Sequence, residues 1–336
     1  MPSLGVVVIG RNEGGRLAQC LQSVLPLGVP VVYVDSDSSD GSASLAEMSG
    51  VDVVRLDPGL PLCASRARHE GFVHLRSKHE VAFVFFIDGD CEVVDGWPKH
   101  AVEELRAQRE VAVVCGRLKE KHPDRSLYNR IADIEWDAPI GEVLSCGGVA
   151  VMRSSAYQAV GGFDPTVVAG EEPELCQRLR AAGWSIRRLA VDMALHDSDM
   201  TTFGQWWRRA VRSGFGTADL ATRFPRDSGG ELREMWSVRM WSIAWPLGLL
   251  LTAAAARASR RTAQVHVHPA ITRALPFAVA CALPLQMLRV SLRLRSRAPD
   301  AVTALSYGTL IMVSKAPQLQ GQLRYLVARR RNRLLQ

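Results

Sequence analysis

The sequence predicts an α/β fold, a mostly parallel sheet with helices on both faces, followed by a helical, basic C-terminal region. Three observations carry this. Short apolar, β-branched runs alternate with segments of helical spacing, the pattern of βαβ units. Two of those runs end in acidic clusters, where open α/β sheets bind their ligands. Charge is also partitioned: residues 257–336 hold fourteen Lys and Arg against one acid, Asp300. That is a net +13 in a chain of 336 residues and net charge +7, which leaves −6 on the first 256. With 47% hydrophobic and 22% charged residues, a disordered chain is excluded.

The elements follow in order. Residues 4–9 are an apolar run closed by Gly10 and read as a buried strand. Leu17, Leu21, Val24 and Leu25 give 14–25 helical spacing. A second strand over 31–34 runs into Asp35-Ser36-Asp37-Ser38-Ser39-Asp40-Gly41. A helix over 42–49, a strand over 51–56 and a helix over 64–78 come next, the last with Arg66 and Arg68 at its start. The very apolar strand over 81–87 meets Asp88-Gly89-Asp90. Helix 97–108 and strand 111–115 complete this part. Beyond Gly147 the expected order is strand 148–152, helix 154–160, a turn at Gly161-Gly162-Phe163-Asp164, helix 171–182 closed by Gly183, and strand 185–190. After His196 the chain reads as mostly helical. The expected domains are 1–220 and 221–336.

Seven Cys are scattered without a C-x-x-C pair, which argues against a disulfide scaffold and a zinc site and for a reducing compartment. Residues 1–10 have no charged segment ahead of their apolar stretch, so the N-terminal body is expected to stay in the cytoplasm.

The chemistry sits at the acidic strand ends. Asp88 and Asp90, one residue apart at the tip of a strand, repel unless they share a cation. Mg²⁺ or Mn²⁺ carrying a diphosphate suits such carboxylates. Gly89 between them lets backbone approach a ligand. Taken as plain structure, the same Asp residues also serve turns and helix caps. The second cluster at Asp35 and Asp37, placed where the same sheet end would lie, favours the ligand reading.

Together these residues resemble the family 2 glycosyltransferases, which have the GT-A nucleotide-diphospho-sugar transferase fold. The resemblance covers about residues 4–215. Val6-Val7-Val8-Ile9-Gly10-Arg11-Asn12-Glu13 looks like the family's first strand and Asn-Glu turn, and implies nucleotide contacts at Arg11 and Glu13. Val34-Asp35-Ser36-Asp37-Ser38-Ser39-Asp40-Gly41 is similar to its second-strand motif, with Asp35 toward the nucleoside and Asp37 beside it. Ser36 and Asp37 depart from the commonest residues there. Asp88-Gly89-Asp90 matches the metal-binding Asp-x-Asp. Gly170-Glu171-Glu172-Pro173-Glu174-Leu175 resembles the acidic helix start that bears the general base, which falls on Glu172 with Glu171 beside it. The resemblance further implies diphosphate contacts at Arg66 and Arg68, a small-residue segment under the acceptor at Gly147 and Gly148, and His196 as a metal or diphosphate ligand. Acids in a first helical turn also simply favour the helix dipole.

The resemblance implies an inverting, metal-dependent transfer from a nucleotide sugar, uridine being the family's commonest base. The residues suit such a transfer: a metal takes charge on the leaving group, and a carboxylate accepts the acceptor's proton. Gln205-Trp206-Trp207-Arg208-Arg209 partly resembles the Gln-x-x-Arg-Trp signature of processive synthases, but Arg209 stands where Trp is expected, so single-sugar transfer is favoured.

The tail has uncharged runs over 240–256 and 274–288, near the lower limit for a spanning helix. A spanning hairpin would put Arg257, Arg260, Arg261 and Arg273 outside, against the positive-inside tendency, so in-plane or re-entrant helices are expected. Trp236, Trp241 and Trp245 suit an interface, and Arg329-Arg330-Arg331-Asn332-Arg333 suits anionic lipid. His266 and His268 read as interfacial or surface residues. The expected partners are a nucleotide sugar, a glycan or lipid-linked acceptor and an anionic membrane surface, but no nucleic acid. The expected place is the cytoplasmic side of the inner membrane. Two other readings remain: a sugar nucleotidyltransferase, and a non-catalytic membrane-docked scaffold.

Overall fold

In the computed structural model, residues 3–225, 229–261 and 269–331 are described. The chain divides after Met200 into two units. The first carries the strands β1 (Leu4–Gly10), β2 (Val31–Asp35), β3 (Asp52–Arg55), β4 (Phe83–Asp88), β5 (Cys91–Val93), β6 (Val111–Glu120), β7 (Gly141–Glu142), β8 (Ala150–Arg153) and β9 (Ser185–His196). Its helices are α1 (Gly15–Val24), α2 (Ser42–Met48), α3 (Ala64–Lys78), α4 (Trp97–Ala107), α5 (Leu127–Trp136), α6 (Ser154–Ala159) and α7 (Glu171–Ala181).

The strands form one sheet in the order β3-β2-β1-β4-β8-β6-β9-β5, with β7 against β9. The first four strands are parallel; β8 enters antiparallel between β4 and β6, and β6 and β9 are parallel. This is the expected mostly parallel GT-A arrangement. β1 and β4 are apolar along their length because both faces are covered: Val6, Val7, Val8, Phe85, Phe86 and Ile87 are all buried. Helix α3 lies close on β1 and β2. A Cβ on Gly71 would come within 2.5 Å of Val7 and 2.7 Å of Val34, so only Gly fits there.

The structure departs from the sequence reading in a few elements. The strand expected over 185–190 runs on to His196, because β9 pairs with β6 through register shifts as far as Glu120 opposite His196. Strands β5 and β7 are too short to announce themselves by alternation. Helix α5 lies where the sequence reading has no element; Ser126 caps its start, accepting from the Asn129 N–H at 3.0 Å.

The second unit is helical: α8 (Phe203–Arg223), α9 (Gly229–Arg239), α10 (Trp245–Arg261), α11 (Pro269–Leu294), α12 (Ala301–Val313) and α13 (Lys315–Arg330). Gln205 closes a capping box at the start of α8, its Oε1 accepting from the Thr202 N–H at 2.8 Å. Helices α8 and α13 touch backbone to backbone. A Cβ on Gly214 would lie 2.1 Å from the Gln318 carbonyl, and one on Gly321 would lie 2.1 Å from that of Val211. Among the described residues, Gly230–Ser259 and Ala274–Leu294 are long and apolar enough to cross a membrane. Leu250, Leu251, Phe277 and Leu285 on them are exposed. His266 and His268 lie outside the described residues.

Candidate active site

The register of the sheet gathers the acidic strand ends. Gly10 stands opposite Asp35 and Ile9 opposite Asp88, so β1, β2 and β4 end together. The loops beyond β1 and β2 are laced to each other. The Asn12 N–H donates to Ser38 Oγ at 2.9 Å, the Ser39 N–H donates to Asn12 Oδ1 at 2.8 Å, and the N–H groups of Glu13 and Gly14 donate to Ser42 Oγ. Asn12 and Asp37 both take left-handed backbone, tolerable for Asn and Asp, whose short side chains bond locally. Asp35 is buried and fixed, accepting from Tyr33 Oη at 3.1 Å and from the Ser38 N–H at 2.9 Å. Asp37 and Arg11 face each other at 3.9 Å, both about half exposed.

The two carboxylates of Asp-Gly-Asp have different partners. Asp88 is gripped by Arg68, whose Nη2 donates to Oδ1 at 2.6 Å; Nη1 of the same group donates to Glu171 Oε1 at 2.7 Å. The Arg68 side chain is 3% exposed. Burial, with Asp90 adding to it, holds the Asp88 carboxyl above the usual range despite Arg68. Asp90 faces His196, with Nε2 3.3 Å from Oδ2. Burial opposes its ionisation, but the hydrogen bond and charge of His196 outweigh this and keep Asp90 low. His196 is itself disfavoured as a cation by burial, yet Asp90 and Glu120 push it up to about 10. Glu13, buried beside Asp90 and Asp88, is pushed up to about 7, mainly by burial and then by Asp90.

This donor set fits a hard divalent cation. Ligand atoms of Asp90 and His196 lie within 4.8 Å of one another and of Cys91 Sγ; the carboxylate and the imidazole suit such a cation, and Asp88 stands close enough to add its charge. Asp90 and Asp88 add to the burial that raises Glu13, and a cation held between them would relieve that added part.

Glu171 and Glu172 open α7 and part ways there. Glu171 binds Arg68, whereas Glu172 accepts on Oε1 from the Cys146 N–H and from Cys176 Sγ, the latter at 3.0 Å. Glu172 lines a cavity of about 700 Å³ together with Gly147, Gly148, Trp136, Leu144 and Arg188. Gly148 joins the two regions: a Cβ there would lie 2.7 Å from Arg68 Nη2 and 3.0 Å from Asp88 Oδ2.

Arg66 is not brought to this cluster. Its guanidinium is taken by Glu70 at 2.6 Å and by the Asp57 carbonyl at 2.9 Å. Three residues that the motifs did not indicate do belong here. Glu120 is buried 3.9 Å from His196 Nδ1. Trp136 sets its ring edge-on to the His196 imidazole, 4.7 Å between centroids. Arg16 ties Glu13 at 2.7 Å to the Asp197 carbonyl at 3.1 Å. Glu120 is invisible in sequence because only the β6–β9 pairing brings it opposite His196.

Residues 5–153 match the model of glycosyl transferase family 2. A pre-mycofactocin glycosyltransferase of Mycobacterium tuberculosis is 30% identical over 237 residues, 66% of this chain and 48% of that protein. The chain therefore spans about half the length of that relative. An O-antigen chain rhamnosyltransferase, WbaN, of Salmonella anatum is 24% identical over 60% of this chain and 68% of its own. Among solved structures, a mannosyltransferase from Pyrobaculum calidifontis in complex with GDP-Man and Mn²⁺ shares the fold, with a TM-score of 0.55, 16% identity, and 96% of this chain and 87% of that one covered.

Proposed function

Through its N-terminal unit the chain belongs to glycosyl transferase family 2, and from that premise we propose that it moves a sugar, with inversion, from a nucleotide diphosphate to an acceptor hydroxyl. The observation that carries this reading is the convergence of Asp88, Asp90 and His196 at the ends of β4 and β9, with Glu172 on the neighbouring cavity. Asp35 would receive the nucleoside, a role supported by its fixed carboxylate, which Tyr33 and Ser38 hold. Asp90 and His196, with Asp88, would hold Mg²⁺ or Mn²⁺, which when bound supplies positive charge to the leaving diphosphate.

The remaining work falls to the chain. Arg68 holds Asp88 and Glu171 in place and so fixes the carboxylates beside the proposed metal site. Gly148 leaves room above that pair. Glu172 takes the proton of the attacking hydroxyl, its carboxyl aimed by the donors from Cys146 and Cys176. Donor and acceptor then meet across a short gap.

The acceptor is a glycan or lipid-linked intermediate. The O-antigen relative supports this, as do the two apolar helices of the second unit and the basic end of α13. We place the protein on the cytoplasmic face of the inner membrane, where cytoplasmic nucleotide sugars meet anionic lipid.

The test is calorimetric binding of UDP with Mn²⁺, on the wild type and on Asp90→Ala. Metal-dependent binding that the variant loses is the expected result. Failure of the folded wild type to bind UDP, GDP and dTDP would overturn the reading and favour a scaffold.

A further inference from the structure

Under the cavity lies a second cluster of ligand-type side chains that the proposed transfer uses only in part. Cys146 Sγ and Cys176 Sγ are 3.7 Å apart, and Cys176 Sγ is 3.0 Å from Glu172 Oε1. One ligand atom from each of the three residues falls within 4.8 Å of the others. Both Cys are buried and Glu172 is 7% exposed. Glu172 and Cys176 sit four residues apart on α7 and so share a face. Cys146 comes from the segment before β8. Cys146 and Glu172 also line the 700 Å³ cavity, which gives the cluster an approach from that side.

We propose that Cys146, Cys176 and Glu172 form a site for a thiophilic divalent cation such as Zn²⁺, separate from the Asp90–His196 site. The spacing supports it. Two thiolates on a tetrahedral Zn²⁺, each about 2.3 Å from the metal, stand about 3.8 Å from one another. The two sulfurs are already at that separation. Thiolates select Zn²⁺ over Mg²⁺ and Mn²⁺, which prefer oxygen. Three protein ligands leave a fourth position, as in open zinc sites, and two of the three, Cys146 and Glu172, line the cavity. Binding is a proton exchange: two thiol protons leave, two metal–sulfur bonds form, and no electron is transferred. No C-x-x-C spacing announces this set, because its members meet only where α7 packs beside the strand entry.

An occupied site takes Glu172 as a ligand and withdraws it as a base, so Zn²⁺ stops transfer. That consequence rests on the reading of Glu172 under the proposed function; the binding does not.

The experiment uses the full chain and Co²⁺ as the spectroscopic probe. One equivalent is expected to give a thiolate-to-cobalt charge-transfer band, bleached by Zn²⁺ and untouched by Mg²⁺ or Mn²⁺. The Cys146→Ser/Cys176→Ser double variant should bind Co²⁺ about 100-fold or more weakly, since even residues behind a ligand cost 10- to 100-fold. Asp90→Ala should keep the band. No band in the wild type, or a band lost in Asp90→Ala, overturns the proposal. X-ray absorption of the Zn²⁺-loaded wild type needs no variant: two sulfur neighbours at about 2.3 Å support the site, and a shell of nitrogen and oxygen alone overturns it. A band accompanied by unchanged turnover supports the site and overturns only the assignment of Glu172 as base.

Discussion

Arg68 holds Asp88 at 2.6 Å with a guanidinium that is itself buried, so one carboxylate of Asp-Gly-Asp is neutralised before any ligand arrives. Asp90, two residues on, is paired instead with the His196 imidazolium, whose proton a metal can replace. The two acids should therefore fail differently. Asp90→Asn is expected to lower Mn²⁺ affinity about 100-fold, a loss at the upper end of that for residues behind a ligand, and to flatten the pH dependence of stability that its pairing with His196 creates. Arg68→Met strands Asp88 and Glu171 and should cost about 3–5 kcal/mol of stability, the range for breaking a buried pair. Mn²⁺ titration by electron paramagnetic resonance and denaturant unfolding separate the two effects.

Two of the close-packed glycines of the first unit give a paired test. Gly71→Ala drives a methyl into Val7 and Val34 and should destabilise by about 1–3 kcal/mol, as overpacking does. Gly148→Ala instead presses on Arg68 Nη2 and Asp88 Oδ2. It should weaken nucleotide binding at a nearly unchanged melting temperature. Thermal unfolding and UDP calorimetry on both variants check this.

Titration of His196 predicts a slope in stability. Its pKa is raised from 6.5 to about 10 in the folded chain. The native state then binds an extra proton between those values, so unfolding free energy falls as pH rises. The contribution is complete below about pH 6.5 and gone above about pH 10. In metal-free protein, urea midpoints should decline across that window, and His196→Gln should flatten the decline. Mn²⁺ must displace the same proton, so its apparent affinity should climb with pH over the same range.

The two acids that open α7 also divide by role. Glu172→Gln keeps an oxygen for the Cys146 N–H and should fold, while turnover falls by about 10²–10⁴ with loss of general-base catalysis. Glu171→Gln keeps the bond to Arg68 in weaker, uncharged form and should cost far less turnover. Steady-state rates of the two variants, with a shared donor and acceptor, decide the assignment.

Basic residues at the end of α13 predict lipid selectivity. Arg329, Arg330 and Arg331 are exposed, and each Arg near an anionic surface contributes about 1 kcal/mol. Replacing all three with Ala should weaken binding to phosphatidylserine-containing vesicles about 100-fold and leave binding to neutral vesicles unchanged. Vesicle sedimentation with both lipid compositions reads this out.

The strand ends were legible because each apolar run stops on its acid: Ile87 before Asp88, Val34 before Asp35. Each carboxylate therefore had to lie at the end of the sheet where those strands stop. Arg66 and Arg68 were not separable in sequence. They are two residues apart on a helix, about 200° around its axis, and nothing local states which face meets the sheet end. Packing decided it, since Gly71 pins α3 on Val7 and Val34 and Arg66 is spent on Glu70 and a loop carbonyl. Glu120 and Cys146 were hidden for a related reason. Each reaches its partner through pairing or packing between segments far apart in the chain, which no periodicity records.

The glycine contact between α8 and α13 makes the second unit wait for its own completion. Gly214 leaves the ribosome roughly a hundred residues before Gly321, about 5–20 s earlier at ordinary rates of synthesis. During that interval α8 has no α13 to close on, and the apolar helices α10 and α11 emerge in between. Whatever surface receives those helices acts on a unit still open, so its order of assembly is set by translation: apolar segments first, the α8–α13 clasp last.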